Sequence, residues 1–214
     1  MELKGKKINF LGDSITQGVG VKEAPNRFVN RLTEMLELAE GRNYGISGTR
    51  FARQVNPTVD NPRFDMDFCS RVKTMDEDAD VIVVFGGTND FGHGDAPFGT
   101  SADRTPETFC GACHTLMSSL IERYPGKVIV IMTPLHRVSE ENRDRKGHIL
   151  VDYVDVIKET ARCYSLPVLD LFAMSGIQPR VRAIRERFCP DGLHPNDAGH
   201  ELLADRIAGF LRAL

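Results

Sequence analysis

A serine, an aspartate and a histidine whose spacing suits acyl-transfer chemistry stand near the two ends of the chain. Ser14 lies in the segment GDSITQG (residues 12–18), directly after the apolar run 7–11. A serine between a strand and a helix can present its hydroxyl as a nucleophile beside the free N–H groups of the helix start. Asp191 precedes His194 by three residues, so its carboxylate can hold the Nδ1 proton and leave Nε2 free to accept another. The alternative for each residue is a helix cap.

Two further segments contain groups that could stabilise a negatively charged oxygen. Gly48 lies in NYGISGT (residues 43–49), and a glycine lets a backbone N–H approach a ligand closely. Asn89 lies in FGGTND (residues 85–90), where its carboxamide could direct a donor into a site. Each segment alone is also common turn chemistry. Together with the serine, aspartate and histidine, they complete the groups that acyl transfer requires.

The elements that must position these groups can be predicted from short apolar runs. Near-continuous β-branched runs are typical of parallel strands covered on both faces. We predict strands at Lys7–Leu11, Arg42–Tyr44, Val81–Phe85, Val128–Thr133 and Pro167–Leu171. Apolar stripes with helical spacing lie at 28–36, 109–121, 151–161 and 202–210. This alternation predicts a three-layer α/β/α sandwich with a parallel sheet of about five strands, whose ligands bind at the carboxyl ends of the strands.

Composition excludes several classes of protein. The chain has 214 residues, 27 Lys and Arg against 30 Asp and Glu, and a net charge of −3, with no basic stripe for a nucleic acid. Its apolar runs fall far short of the roughly 20 residues that span a bilayer. The 5 cysteines are an odd number, as reduced thiols allow, and residues 1–7 contain no apolar leader, so we expect a cytoplasmic protein. Without repeats or shifts in composition, we predict a single domain over residues 1–214.

The four segments, in this order, resemble those of the SGNH hydrolases, also called GDSL-type esterases and lipases. The resemblance covers nearly the whole chain and implies a flavodoxin-like fold. It assigns Ser14 as the nucleophile and Asp191 with His194 as the rest of a catalytic triad. It assigns Gly48 and Asn89, with the N–H of Ser14, to an oxyanion hole. The one departure is Ile15, where the family label has leucine, and this change should affect packing rather than chemistry.

The resemblance implies hydrolysis of a small-molecule carboxylic ester without a cofactor or metal. We expect a short acyl or acetyl group, carried for example by a carbohydrate. A lysophospholipase or an acyl thioesterase would use the same site. From different classes, the chain could be a ligand-binding domain without catalysis, or a metal-dependent phosphoesterase. The latter would take its ligands from Asp13, Asn89, Asp191 and His194 and leave Ser14 and Gly48 unused.

Residues next to the four segments are predicted to shape specificity. Arg50, His136 and Arg137 could meet polar or anionic substrate groups, and the alternative is solvated surface charge. Residues 91–104 are long for a loop and are predicted to border the pocket, with a lid as one role. Because so short a chain leaves few residues for a substrate domain, specificity must come from loops or from a neighbouring subunit of a homo-oligomer. His93 has no sequence partner like Asp191, so packing explains it adequately.

Overall fold

The fold is built on a five-stranded parallel sheet. The computed structural model describes residues 1–214, and its strands lie in the order β2-β1-β3-β4-β5. They are β1 (Lys7–Gly12), β2 (Glu40–Gly45), β3 (Val81–Phe85), β4 (Val128–Met132) and β5 (Val168–Leu169). All five predicted strands are therefore confirmed. β5 is shorter than predicted because Asp170 accepts a hydrogen bond from the N–H of Ala173 and caps a helix that begins at Leu171.

Nine α-helices connect and cover the strands. They are α1 (Ser14–Gln17), α2 (Phe28–Met35), α3 (Phe68–Arg71), α4 (Thr88–Gly92), α5 (Phe109–Arg123), α6 (Leu150–Cys163), α7 (Leu171–Met174), α8 (Arg182–Phe188) and α9 (Asp197–Ala213). Single 3-10 turns lie at Ala24–Asn26, Pro62–Asp65 and Val72–Thr74. The four predicted helical stripes correspond to α2, α5, α6 and α9. None of the helices is both long and apolar enough to cross a membrane.

The sheet separates two apolar cores. Side chains alternate along a strand, so Val83 of β3 packs into one core and its neighbour Val84 into the other. One core holds buried residues of α2 and α9, and the second holds those of α5 and α6. This arrangement confirms the predicted three-layer sandwich.

The strand order creates a crevice between β1 and β3. The chain moves from β1 to β2 on one side of the sheet and then returns to β3 on the other side of β1. The helices after β1 and β3 diverge at such a reversal, and ligands bind there. Ser14 follows β1 directly, Asn89 follows β3, and the Gly48 turn follows β2 on the neighbouring edge. The fold therefore brings three of the four sequence segments to the same end of the sheet.

Candidate active site

Ser14, His194 and Asp191 form a continuous hydrogen-bonded series. The Oγ of Ser14 lies 3.0 Å from Nε2 of His194. The Nδ1 of the same imidazole lies 2.7 Å from Oδ2 of Asp191. Because an ionised carboxylate can only accept, the proton resides on Nδ1, and Nε2 is the acceptor that faces the serine hydroxyl. The structure thus joins residues that lie 180 positions apart in the arrangement of a nucleophile, a base and an orienting acid.

The turn at Ser14 is shaped by its neighbours. Asp13 is the N-cap of α1, and its Oδ1 accepts a hydrogen bond of 3.0 Å from the N–H of Ile15. The capping role proposed as an alternative for this segment therefore belongs to Asp13, while the Ser14 hydroxyl faces His194. Burial raises the pKa of the Asp13 carboxyl to about 7, although the hydrogen bond from Ile15 opposes the shift. At Gly12, a side chain would collide with Thr16, so only glycine lets α1 start this close to β1.

The loop before α9 fixes the imidazole. Oδ1 of Asp191 accepts hydrogen bonds from the N–H groups of Leu193 at 2.8 Å and of His194 at 2.7 Å, which leaves Oδ2 for the imidazole. Partial burial would raise the pKa of Asp191, but these hydrogen bonds outweigh burial and hold the pKa below its usual value. The helix cap is Asn196, whose Oδ1 accepts from the N–H of Gly199. Asp191 and His194 therefore do not serve as the caps of α9.

Three N–H donors follow the carboxyl ends of β1, β2 and β3. The backbone N–H groups of Ser14 and Gly48 donate no hydrogen bond within the protein. Asn89 uses one amide hydrogen to bind the carbonyl of Thr49 at 2.9 Å, which ties the start of α4 to the Gly48 turn and leaves the second amide hydrogen free. Gly48 has a φ of 77°, a left-handed conformation that favours glycine. The N–H of Ile46 also donates to the carbonyl of Gly12 and holds this turn against the end of β1.

Asp90 anchors the turn that carries Asn89. Its two carboxylate oxygens accept hydrogen bonds of 3.0 Å from the N–H groups of Phe51 and Ala52. Burial raises the pKa of Asp90 to about 6, against the opposing effect of these hydrogen bonds. Gly87 caps α4 with a φ of 102° and lets Asn89 leave the strand in a helical turn. Asn89 is 5% exposed, so the Asn-Asp pair is an ordered part of the site rather than a surface loop.

The three predicted specificity residues lie in different surroundings. Arg137 lines a cavity of about 330 Å³ beside α4, and its Nη1 donates to the carbonyl of Thr88. His136 is half-buried and hydrogen-bonded to Glu140 at 2.7 Å. Arg50 is only 3% exposed, so the alternative of a solvated surface charge is wrong for this residue. Of the three, only Arg137 lines the cavity.

The segment 91–104 begins at the same cavity. Its first residues, Phe91 to Gly94, line the cavity wall. Farther along, the carbonyl of Pro97 accepts from the N–H of Phe109, and the carboxylate of Asp95 accepts from the N–H of Val55. The start of the segment borders the cavity, and the rest is fastened to neighbouring loops. Its role as a lid remains a prediction.

His93 is the residue of this site that sequence reasoning missed. Its Nε2 lies 3.2 Å from Oδ1 of Asn89, and its Nδ1 lies 2.9 Å from Nη1 of Arg50. The first contact joins residues four apart, a spacing that places two side chains on one face of a helical turn. That spacing was the available signal in the sequence.

Side chains that could bind the metal of a phosphoesterase form hydrogen bonds within the protein. Asp13 bonds to the N–H of Ile15, and the two ring nitrogens of His194 bond to Ser14 and Asp191. No group of three or more His, Cys, Asp or Glu side chains is arranged to hold a metal ion.

Comparison with known proteins agrees with the class that this fold and site indicate. The sequence profile of the GDSL-like lipase/acylhydrolase family matches residues 10–202. A GDSL lipase of Mycobacterium tuberculosis is 30% identical over 139 residues, which are 65% of this chain and 53% of that protein. The chain thus spans about half the length of this curated relative.

Solved structures extend the similarity to nearly the whole chain. A protein from Lactobacillus plantarum is 28% identical and superimposes with a TM-score of 0.85 over 99% of this chain and 98% of its own. A lipase/acylhydrolase from Enterococcus faecalis is 26% identical, with a TM-score of 0.65 over 97% of this chain and 96% of its own. The chain belongs to the GDSL-like lipase/acylhydrolase family, which confirms the resemblance seen in the sequence.

Proposed function

We propose that this protein hydrolyses carboxylic esters through an acyl-enzyme formed on Ser14. The observation that carries the proposal is the continuous series from Ser14 Oγ through both nitrogens of His194 to Asp191. His194 Nε2 takes the hydroxyl proton as Oγ bonds to the ester carbonyl carbon, and the carbonyl π electrons move onto its oxygen. Collapse of this tetrahedral species breaks the bond to the alkoxy group, which leaves as an alcohol with the proton from His194. Water then repeats the sequence and releases the acid.

The tetrahedral oxygen would be stabilised by the three donors beside Ser14. The backbone N–H groups of Ser14 and Gly48 and the second amide hydrogen of Asn89 are not used within the protein. Fixed donors of this kind stabilise the developing charge without reorganising during the reaction. Asp191 keeps the imidazole in the required tautomer and favours its protonated form as the reaction proceeds.

We propose that the substrate joins a short acyl group to a polar alcohol. A supporting observation is the cavity beside α4, in which Phe91 is the only hydrophobic residue of the lining. Neither the triad nor the oxyanion donors line this cavity, but the loop that carries Asp191 borders it, since the N–H of Val138 donates to the carbonyl of Gly192 at 3.0 Å. Arg137, Arg143 and Arg145 line the same cavity and can donate to hydroxyl, carbonyl or anionic groups. A long acyl chain would find little apolar surface there. An acetylated sugar is one substrate of the proposed class.

A substrate panel tests this proposal. Initial rates would be measured with p-nitrophenyl esters from acetate to laurate, with acetylated sugars, with lysophosphatidylcholine and with an acyl thioester. We expect the highest kcat/KM for acetate or butyrate among the p-nitrophenyl esters, and release of acetate from at least one acetylated sugar. A kcat/KM that rises steadily to laurate, or a preference for the lysolipid or the thioester, would contradict the substrate assignment.

Ser14→Ala serves as the blank for every substrate. It removes the nucleophile, so we expect turnover to be lost almost entirely while the protein stays folded. Ser119→Ala is the matched control, because it makes the same change on α5. Full activity of Ser14→Ala would refute the serine mechanism. Loss of activity in EDTA with Ser14→Ala still active would instead favour the metal-dependent phosphoesterase.

A further inference from the structure

Behind the proposed oxyanion donor lies a row of three hydrogen-bonded side chains. Nη1 of Arg50 lies 2.9 Å from Nδ1 of His93, and Nε2 of His93 lies 3.2 Å from Oδ1 of Asn89. Nδ2 of Asn89 in turn donates to the carbonyl of Thr49 at 2.9 Å. The row thus runs from the buried guanidinium of Arg50 to the carboxamide of Asn89.

The direction of each hydrogen bond follows from the chemistry of the groups. A guanidinium has no acceptor, so Nδ1 of His93 must accept from Arg50. The ring proton therefore resides on Nε2, which donates to Asn89. The Thr49 carbonyl can only accept, which places the Asn89 nitrogen on its side and the oxygen toward His93. Each of the three hydrogen bonds in the row thus joins a donor to an acceptor, so one tautomer of His93 and one amide orientation of Asn89 satisfy all three.

Surrounding groups hold the Arg50 end of the row. Nη2 of Arg50 donates to the carbonyl of Phe64 at 2.8 Å and to Oδ1 of Asp65 at 3.3 Å. His93 is an exposed residue, but its ring nitrogens face the protein. Their desolvation and the nearby charge of Arg50 lower the pKa of His93 to about 4. The imidazole is therefore neutral near pH 7.

We propose that His93, oriented by Arg50, is a positioning residue for the oxyanion donor Asn89. The hydrogen bond to Oδ1 prevents rotation of the carboxamide and polarises it, so that the free amide hydrogen stays directed at the tetrahedral oxygen. The inference rests on the proposed function, because it assigns Asn89 to the oxyanion hole. Arg50 acts here from behind the site rather than by contact with substrate.

Two substitutions of similar length separate this role from simple packing. Glutamine retains a donor that can reach Asn89, whereas methionine does not. We expect His93→Met to lower kcat by up to about 100-fold, the loss that a misplacement of about 1 Å produces, with KM little changed. His93→Gln should recover most of that loss. His114→Met on α5 is the matched control and should keep full activity.

A double-mutant cycle with Asn89→Ala gives the decisive readout. If His93 acts only through Asn89, the double variant should be no slower than Asn89→Ala alone, which we expect to lose about 10² to 10³-fold in kcat. An alkyl boronic acid, which forms a tetrahedral adduct on the serine, should lose affinity in His93→Met by the same factor as kcat/KM. Multiplicative losses in the double variant, or equal activity of the Met and Gln variants, would overturn the proposal.

Failure of the inference can be distinguished from failure of the proposed function. If Ser14→Ala abolishes turnover while His93→Met matches the parent, the serine mechanism stands and the positioning role is refuted. If the parent shows no turnover that depends on Ser14, both the serine mechanism and the positioning role of His93 are refuted.

Discussion

Replacing Asp191 by alanine tests how much of the catalysis depends on the orienting acid. The carboxylate accepts three hydrogen bonds, two from the N–H groups of Leu193 and His194 and one from the imidazole. A buried triad aspartate contributes about 10⁴-fold to kcat. The Asp191 side chain, however, is 54% exposed, so water screens its charge and can replace part of its hydrogen bonding.

The expected loss is therefore that of one charge-assisted hydrogen bond. Such a bond contributes about 1.5–3 kcal/mol, which corresponds to a loss of about 10- to 150-fold in kcat/KM. The two backbone N–H groups released by the substitution become accessible to water, so we expect the free energy of unfolding to change by less than about 1 kcal/mol. Asp191→Ala should thus remain measurably active, in contrast to Ser14→Ala.

The assay is the initial rate on p-nitrophenyl acetate, with thermal unfolding followed by circular dichroism. Asp155→Ala is the matched control, because it removes the same charge from an exposed position on α6. A loss as large as that of Ser14→Ala would show that exposure does not weaken the orienting acid. An unchanged rate would show that the hydrogen bond between Asp191 and His194 has no catalytic role.

Two further predictions concern stability. An added Cβ at Gly86 would lie 2.6 Å from the rings of Phe51 and Phe68, so Gly86→Ala should lower the free energy of unfolding by about 1–3 kcal/mol in urea denaturation. Gly209→Ala has open space in α9 and should instead stabilise by about 0.5–1 kcal/mol; the same sign for both would contradict the packing argument. Burial raises the pKa of the Asp13 carboxyl from about 4 in the unfolded chain to about 7 in the folded protein. The folded state therefore binds the proton more tightly, and the contribution of Asp13 to stability falls as the pH rises from about 4 to about 7. We therefore expect the free energy of unfolding of Asp13→Asn, relative to that of the parent, to rise by up to about 4 kcal/mol when the pH is raised from about 4.5 to 8 in urea denaturation. The same difference between the two proteins at both pH values would refute the raised pKa of Asp13.

The sheet could be predicted because parallel strands buried on both faces leave a strong apolar signal. Val81–Phe85 and Val128–Met132 are fully apolar and lie within the sheet, and both were predicted to within a residue. β2 is the weak case, since its sequence EGRNYG lies at an edge and is half-exposed. The short helix α7 was missed, because four residues carry too little periodicity.

The parts of the site that depend on contacts distant in sequence could not be predicted. Ser14 and the Asp191–His194 pair were found because each lies in a local motif. The role of His93 depends on Arg50, which lies 43 residues earlier and is buried by the packing of intervening loops. Nothing in the sequence distinguishes a buried arginine of this kind from one on a substrate-binding rim.

Covalent labelling with a fluorophosphonate tests the central claim that Ser14 is an activated nucleophile. After tryptic digestion, the peptide Ile8–Lys22 contains Ser14 as its only serine, so mass spectrometry can locate the adduct. We predict one adduct on Ser14 of the parent and much slower labelling of His194→Ala. In Ser14→Ala, the corresponding peptide should carry no label. An unlabelled Ser14 in a protein that still hydrolyses esters, or a label on another residue that abolishes activity, would contradict the account.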